Sequence, residues 1–166
     1  MGVLREYTSG SNRIHMCYTF DFLSAEKPTA ERVATVLQRF EDEAPDSWVC
    51  WAFSNHDVVR HATRWNLPKK NRSQHLKVLA SLLMSMRGSV CLYQGEELGL
   101  PEADIPFEKL QDPYGIAFWP EFKGRDGCRT PMVWDNTDEY AGFSSEETWL
   151  PIPETHKRLA VSEQEG

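Results

Sequence analysis

No run of apolar residues in this sequence approaches the ~20 residues needed to cross a bilayer. The longest such run is Trp48–Phe53, six residues. The amino terminus, MGVLREYTSGSN, lacks the charged-then-apolar pattern of a secretory leader. Positive charge is the minority, with 18 Lys and Arg against 25 Asp and Glu and a formal net charge of −7. That balance argues against nucleic acid or an anionic membrane as partner and suits a neutral small molecule. Cysteine is sparse: Cys17, Cys50, Cys91 and Cys128, with no CxxC spacing, so a metal or redox motif is not indicated. The first three fall in apolar stretches read as strands, where a free thiol behaves as a small hydrophobe. The expectation is a reducing, cytoplasmic compartment, with no metal and no cofactor.

What is present is a globular composition, 40% hydrophobic and 26% charged, in 166 residues. Six tryptophans is high for that length. Most such residues fill cores, although an indole also stacks on flat apolar faces, including those of sugar rings.

Two kinds of segment alternate. Ile14–Phe20, Trp48–Phe53 and Ser89–Tyr93 are short apolar runs, read as strands. Between them, Pro28–Phe40 reads as a helix with Thr29 as N-cap and Ala30, Val33, Ala34, Leu37 and Phe40 on one face. Ser73–Arg87 reads as a second helix, with Leu76, Leu79, Ala80 and Leu83 buried and Gly88 at its exit. The order β-α-β-α-β with continuous apolar strands predicts an α/β fold with a parallel sheet. Each strand ends at a carboxylate. Asp21 and Asp57 are 36 residues apart, and Asp57 and Glu96 are 39 apart, the length of one βα unit. Three parallel strands leave both sheet edges open, which predicts part of a larger domain. From 98 to 149 the periodicity gives way to Pro, Gly, Asp and aromatic residues, read as short helices and turns forming a long binding loop. Thr155–Gly166 reads as the start of a helix or a frayed end.

The chemistry concentrates at SNHDVVR, residues 54–60. In α/β proteins the carboxyl ends of strands hold side chains rigidly toward a cleft. His56 and Asp57 there suit the gripping of a hydroxylated substrate beside a reacting carbon, as glycoside cleavage requires. The plainer reading is a strand-end turn with capping side chains. His61 completes H-D-x-x-x-H, but its place on the loop speaks against a metal site. On spacing alone Glu96 or Glu97 could be the partner carboxylate, but the favoured reading is that the pair anchors the loop by accepting backbone N–H groups; Asp21 is likewise read as structural rather than catalytic. In GRDGCRTPMVWD, residues 124–135, Arg125 or Arg129 suits a fork onto a carboxylate or onto substrate hydroxyls.

Together these segments resemble glycoside hydrolase family 13, the α-amylase superfamily, and within it bacterial α-glucosidases of the oligo-1,6-glucosidase and α-glucosyltransferase type. FSNHDVVR (53–60) resembles the family's seventh-strand motif, IHMCYTFDFL (14–23) its sixth strand and GSVCLYQGEELGL (88–100) its eighth. Residues 112–134 resemble the long loop after strand eight. The resemblance covers nearly the whole chain. It implies a partial (β/α)8 TIM barrel over 1–166, about strands six to eight, with residues 98–149 as a loop subdomain. It implies that Asp57 is a catalytic carboxylate stabilising the transition state through sugar hydroxyls. It further implies that His56 and Arg125 bind the sugar of the −1 subsite, with Arg129 nearby. The substrate implied is an oligosaccharide or glucoside, cleaved with retention. The nucleophilic Asp and general-acid Glu belong, by the same resemblance, to strands four and five and precede Met1, so 1–166 alone is expected to be inactive. Two alternatives stand beside this: a glucosyl-transferring or isomerising relative of the sucrose or trehalose type, and a non-catalytic family member. The retention of His56 and Asp57 disfavours the latter.

Overall fold

The computed structural model describes residues 2–165 and divides them into two compact units. One comprises residues up to Phe53 together with Lys77–Leu92, and the other comprises Ser54–Leu76 and Tyr93 onward.

The first unit is built on a parallel three-stranded sheet in sequence order: β1 (Cys17–Tyr18), β2 (Val49–Trp51) and β3 (Ser89–Val90). Cys17 pairs with Val49, and Cys50 with Ser89. The parallel α/β expectation holds, but the strands are shorter than the apolar runs that suggested them. The flanks of the first run explain why: Ile14, Met16 and Phe20 are exposed, so only its centre is held between neighbours. Cys91 lies one residue beyond β3 and is exposed, which corrects its reading as a strand thiol; Cys50 is buried. The helix α1 (Gly2–Thr8) was not expected, since GVLREYT has neither a cap nor two turns of periodicity.

Helix α2 (Ala30–Glu43) begins where the sequence indicates, with the Thr29 hydroxyl accepting from the Arg32 N–H at 3.2 Å. Its buried stripe is Val33, Val36 and Phe40; Ala30 and Ala34 are exposed. Phe40, Trp51, Phe22 and Phe53 form the aromatic heart of this unit, with ring centroids 5.5–5.8 Å apart in tilted or edge contacts. Burial of each such side chain contributes about 1.5–3 kcal/mol. Helix α4 (Arg72–Ser85) buries Leu79 and Leu83, whereas Ala80 faces out. The turn after it needs Gly88. Its φ is +139°, and a Cβ there would lie 2.6 Å from the Val49 carbonyl oxygen. The Trp51 indole N–H donates to the Arg87 carbonyl at 2.8 Å and fixes the same turn.

The second unit contains the helix α3 (His61–Arg64), α5 (Pro113–Ala117), α6 (Glu154–Lys157) and three 3-10 turns, with no strand among its described residues. Two apolar clusters hold it. Leu100, Val133, Ala141 and Ala160 form one, and Ala103, Ile105 and Leu110 under Trp119 form the other. Residues 154–160 are held in place rather than frayed: His156 and Ala160 are fully buried.

Candidate active site

The segment following β2 enters the second unit at Ser54. The buried Ser54 hydroxyl accepts from the His61 backbone N–H at 3.0 Å and lies 3.1 Å from His61 Nδ1. That contact closes a loop over 54–61. Within it the Asp57 N–H donates to Asn55 Oδ1 at 2.9 Å, a side-chain turn that directs the Asp57 carboxylate outward. The loop is anchored by Arg60, which is 1% exposed. Its guanidinium donates to the Gln94 carbonyl at 2.6 Å and lies over the Tyr93 ring at 5.4 Å, while its backbone N–H donates to Glu102 at 2.8 Å. Burial pulls the Arg60 guanidinium below its usual value and pushes the Glu102 carboxyl above its own. His61 is turned inward, 3.3 Å from Glu96, and no group of three metal-ligating side chains occurs among the described residues. Glu96 accepts the Tyr93 N–H at 3.0 Å, as a loop anchor does.

Asp57, His56, Arg125 and Arg129 come together. Asp57 Oδ1 accepts from Arg125 Nη1 at 3.0 Å and from Arg129 Nη2 at 3.2 Å. Asp57 Oδ2 lies 3.3 Å from His56 Nε2. Arg129 Nε donates to the His56 carbonyl at 2.8 Å, so one guanidinium ties both the carboxylate and the backbone beside it. The Asp57 side chain is nevertheless 48% exposed and that of His56 67%. The carboxylate is thus gripped by two guanidinium groups and still open to solvent, an arrangement that can receive polar hydroxyls.

The sequence did not single out what holds Arg125. The Asp112 side chain is fully buried and grips Arg125 three times: from its backbone N–H at 2.8 Å, from Nε at 2.8 Å and from Nη2 at 2.9 Å. The guanidinium bond holds the Asp112 carboxyl well below the usual carboxylate range and raises Arg125 in turn. Asp112 also caps α5, accepting from the Tyr114 N–H at 3.3 Å. Its own N–H donates to buried Asp126 at 2.8 Å. The only signal for Asp112 in the sequence is Asp-Pro before a short helical stretch, a capping pattern that says nothing of a partner 13 residues on. The Tyr114 ring covers the guanidinium at 5.4 Å. Gly115 and Gly124 let α5 and the arginine loop touch: a Cβ on Gly124, whose φ is +79°, would lie 2.8 Å from Gly115 Cα.

Comparison with known proteins gives one consistent picture. The family profile described as α-amylase, catalytic domain, matches residues 3–166. A probable α-glucosidase of Rhizobium meliloti is 60% identical over 161 residues, which are 97% of this chain and 29% of that protein. An oligo-1,6-glucosidase of Heyndrickxia coagulans is 28% identical over 96% of this chain and 35% of its own length. Among solved structures, the α-glucosyl transfer enzyme XgtA superposes with a TM-score of 0.88 at 48% identity, over 98% of this chain and 30% of its own. The trehalose-6-phosphate hydrolase of Bacillus licheniformis superposes at 0.81 with 26% identity, over 97% of this chain and 34% of its own. The chain thus spans about a third of the length of these relatives. Among the described residues no helix is long and apolar enough to cross a membrane.

Proposed function

Because the chain belongs to the α-amylase catalytic-domain family, whose fold is the TIM barrel, we propose that it forms part of the sugar site of a retaining α-glucosidase acting on short α-glucans or glucosides. β1, β2 and β3 are read as strands six, seven and eight of that barrel, and 98–149 as the loop subdomain that follows. Asp57 is the catalytic residue. Its carboxylate accepts from ring hydroxyls, and those bonds tighten as positive charge develops on the ring in the oxocarbenium-like transition state. His56 offers Nε2 to the same sugar. Arg125 and Arg129 hold the carboxylate in place, and Arg125 reaches the ring with Nη1. The nucleophile and general acid, ~5–5.5 Å apart in a retaining site, are assigned to strands four and five by the same reading. The observation that carries the proposal is the Asp57 carboxylate, bound by both arginines and half open to solvent. The four cysteines, all unpaired, fit a cytoplasmic enzyme of carbohydrate metabolism.

The test is incubation of the full-length protein with an aryl α-glucoside, followed by NMR of the first-formed sugar. Release of α-glucose is expected; no release, or β-glucose, overturns the reading. A second reading, glucosyl transfer, is favoured by the likeness to the transfer enzyme XgtA. It predicts glucosylated acceptor in place of free glucose when a hydroxylated acceptor is added.

A further inference from the structure

A cavity of 330 Å³ in the second unit is lined by none of the four residues above, but by Lys109, Gln111, Glu139, Tyr140, Glu147 and Trp149, among others. Its volume falls in the range of small-ligand pockets. Trp149 is 73% exposed, the opposite of what indole hydrophobicity favours. The backbone beside it is fixed. Leu150 beside it is 2% exposed, the Thr148 hydroxyl donates to the Leu150 carbonyl at 2.7 Å, and Pro151 fixes the next φ. Two other lining residues are held through their backbones. The Tyr140 N–H donates to Asp138 at 2.8 Å, and Lys157 Nζ donates to the Glu139 carbonyl at 2.8 Å. The same cavity is lined by an amide, two carboxylates and an ammonium, with Lys109 paired to Glu147 at 3.4 Å.

An exposed aromatic face in a cavity that also offers donors and acceptors of both kinds matches one ligand chemistry well. A pyranose ring presents an apolar C–H face to the indole and hydroxyls around its rim, each able to donate to a carboxylate and accept from an amide or ammonium. The two carboxylates disfavour phosphates and other anions. We propose that this cavity binds a glucosyl unit of an α-glucan chain, stacked on Trp149 and hydrogen-bonded by Gln111 and Glu147. The choice of an α-glucan rests on the glucosidase reading; the aromatic pocket itself does not.

The experiment is native electrophoresis of the full-length protein through gels with and without soluble starch, with aryl α-glucoside turnover measured in parallel. The wild-type protein is expected to be slowed by starch. Trp149→Ala should raise the dissociation constant from the mobility shift at least tenfold, Trp149→Phe less, and Gln111→Ala should weaken retardation. Trp149→Ala should keep aryl α-glucoside turnover within twofold, which also reports an intact fold. Equal mobility of the wild type in both gels overturns the proposal, as does a Trp149→Ala variant slowed as much as wild type; the indole is then a contact for another part of the protein or for a protein partner. Absence of aryl α-glucoside turnover in the wild type counts against the glucosidase reading, and the mobility shift still decides this one.

Discussion

Asp112 and Arg125 meet as a two-pronged pair, Nε to Oδ2 at 2.8 Å and Nη2 to Oδ1 at 2.9 Å, with the carboxylate sealed from solvent and the far nitrogen, Nη1, left 3.0 Å from Asp57. The position of Nη1 is therefore set by a residue that never touches Asp57. Asp112→Asn keeps the shape but removes one prong and the charge. In the full-length enzyme kcat/KM for an aryl α-glucoside should fall on the order of a hundredfold, the scale seen when a binding group shifts by about 1 Å. Arg125→Lys should do likewise, since an ammonium cannot span both contacts. Steady-state kinetics on the two variants checks this; wild-type kinetics in Asp112→Asn would contradict it.

Acid should weaken the protein through two groups. The Asp112 carboxyl lies below its unfolded value near 4. Its contribution is fully present above that pH and is lost as pH falls toward the native value. His156 acts earlier. Buried, with Nε2 2.9 Å from the Pro101 carbonyl, it is pushed down to about 4 by burial and, secondarily, by the charge of Arg60. Between about pH 6.5 and 4 the unfolded chain takes a proton that the native histidine refuses. Stability therefore falls as pH drops through that window, by about 2 kcal/mol at pH 5. Urea unfolding of wild type and His156→Gln at pH 7 and pH 5 should show the larger loss in the wild type; equal losses would contradict the assignment.

Gly124→Ala should be costly for so small a change. The position has φ +79°, and the new methyl would lie 2.8 Å from Gly115 Cα. Strain and displacement together should destabilise by about 2 kcal/mol and move Arg125 off Asp57. Both the unfolding midpoint and kcat/KM should drop; a variant with unchanged values would show that the two backbones separate freely.

The parallel order of the sheet was legible because Val49–Trp51 and its neighbours are apolar without alternation, and the start of α2 was legible because Thr29 is a good cap. The strand ends were not. Burial of Ile14, Met16 and Phe20 depends on what lies beside them, which hydrophobicity alone does not encode. At the site, the NHD turn stood out because four polar residues, Ser54, Asn55, His56 and Asp57, follow an apolar run. Arg125 and Arg129 were found as donors dense in a turn-rich loop, and the structure brings both to Asp57. Asp112 and Arg60 escaped notice for opposite reasons. Asp112 reads as an ordinary helix cap, with its partner far along the chain. Arg60 only closes the motif in the sequence, with nothing there to mark its burial, yet it packs inside against Tyr93 and the Gln94 carbonyl.

The central claim is that Asp57 acts on the sugar and the residues around it serve to hold it. Asp57→Asn changes one oxygen for an amide and leaves a side chain of the same shape between the two arginines. The most direct measurement is kcat of full-length Asp57→Asn on an aryl α-glucoside, with circular dichroism to confirm the fold. The account predicts a loss of about two to three orders of magnitude in kcat, the scale of a lost electrostatic contact to the transition state, with an unchanged spectrum. Turnover within tenfold of wild type would contradict it.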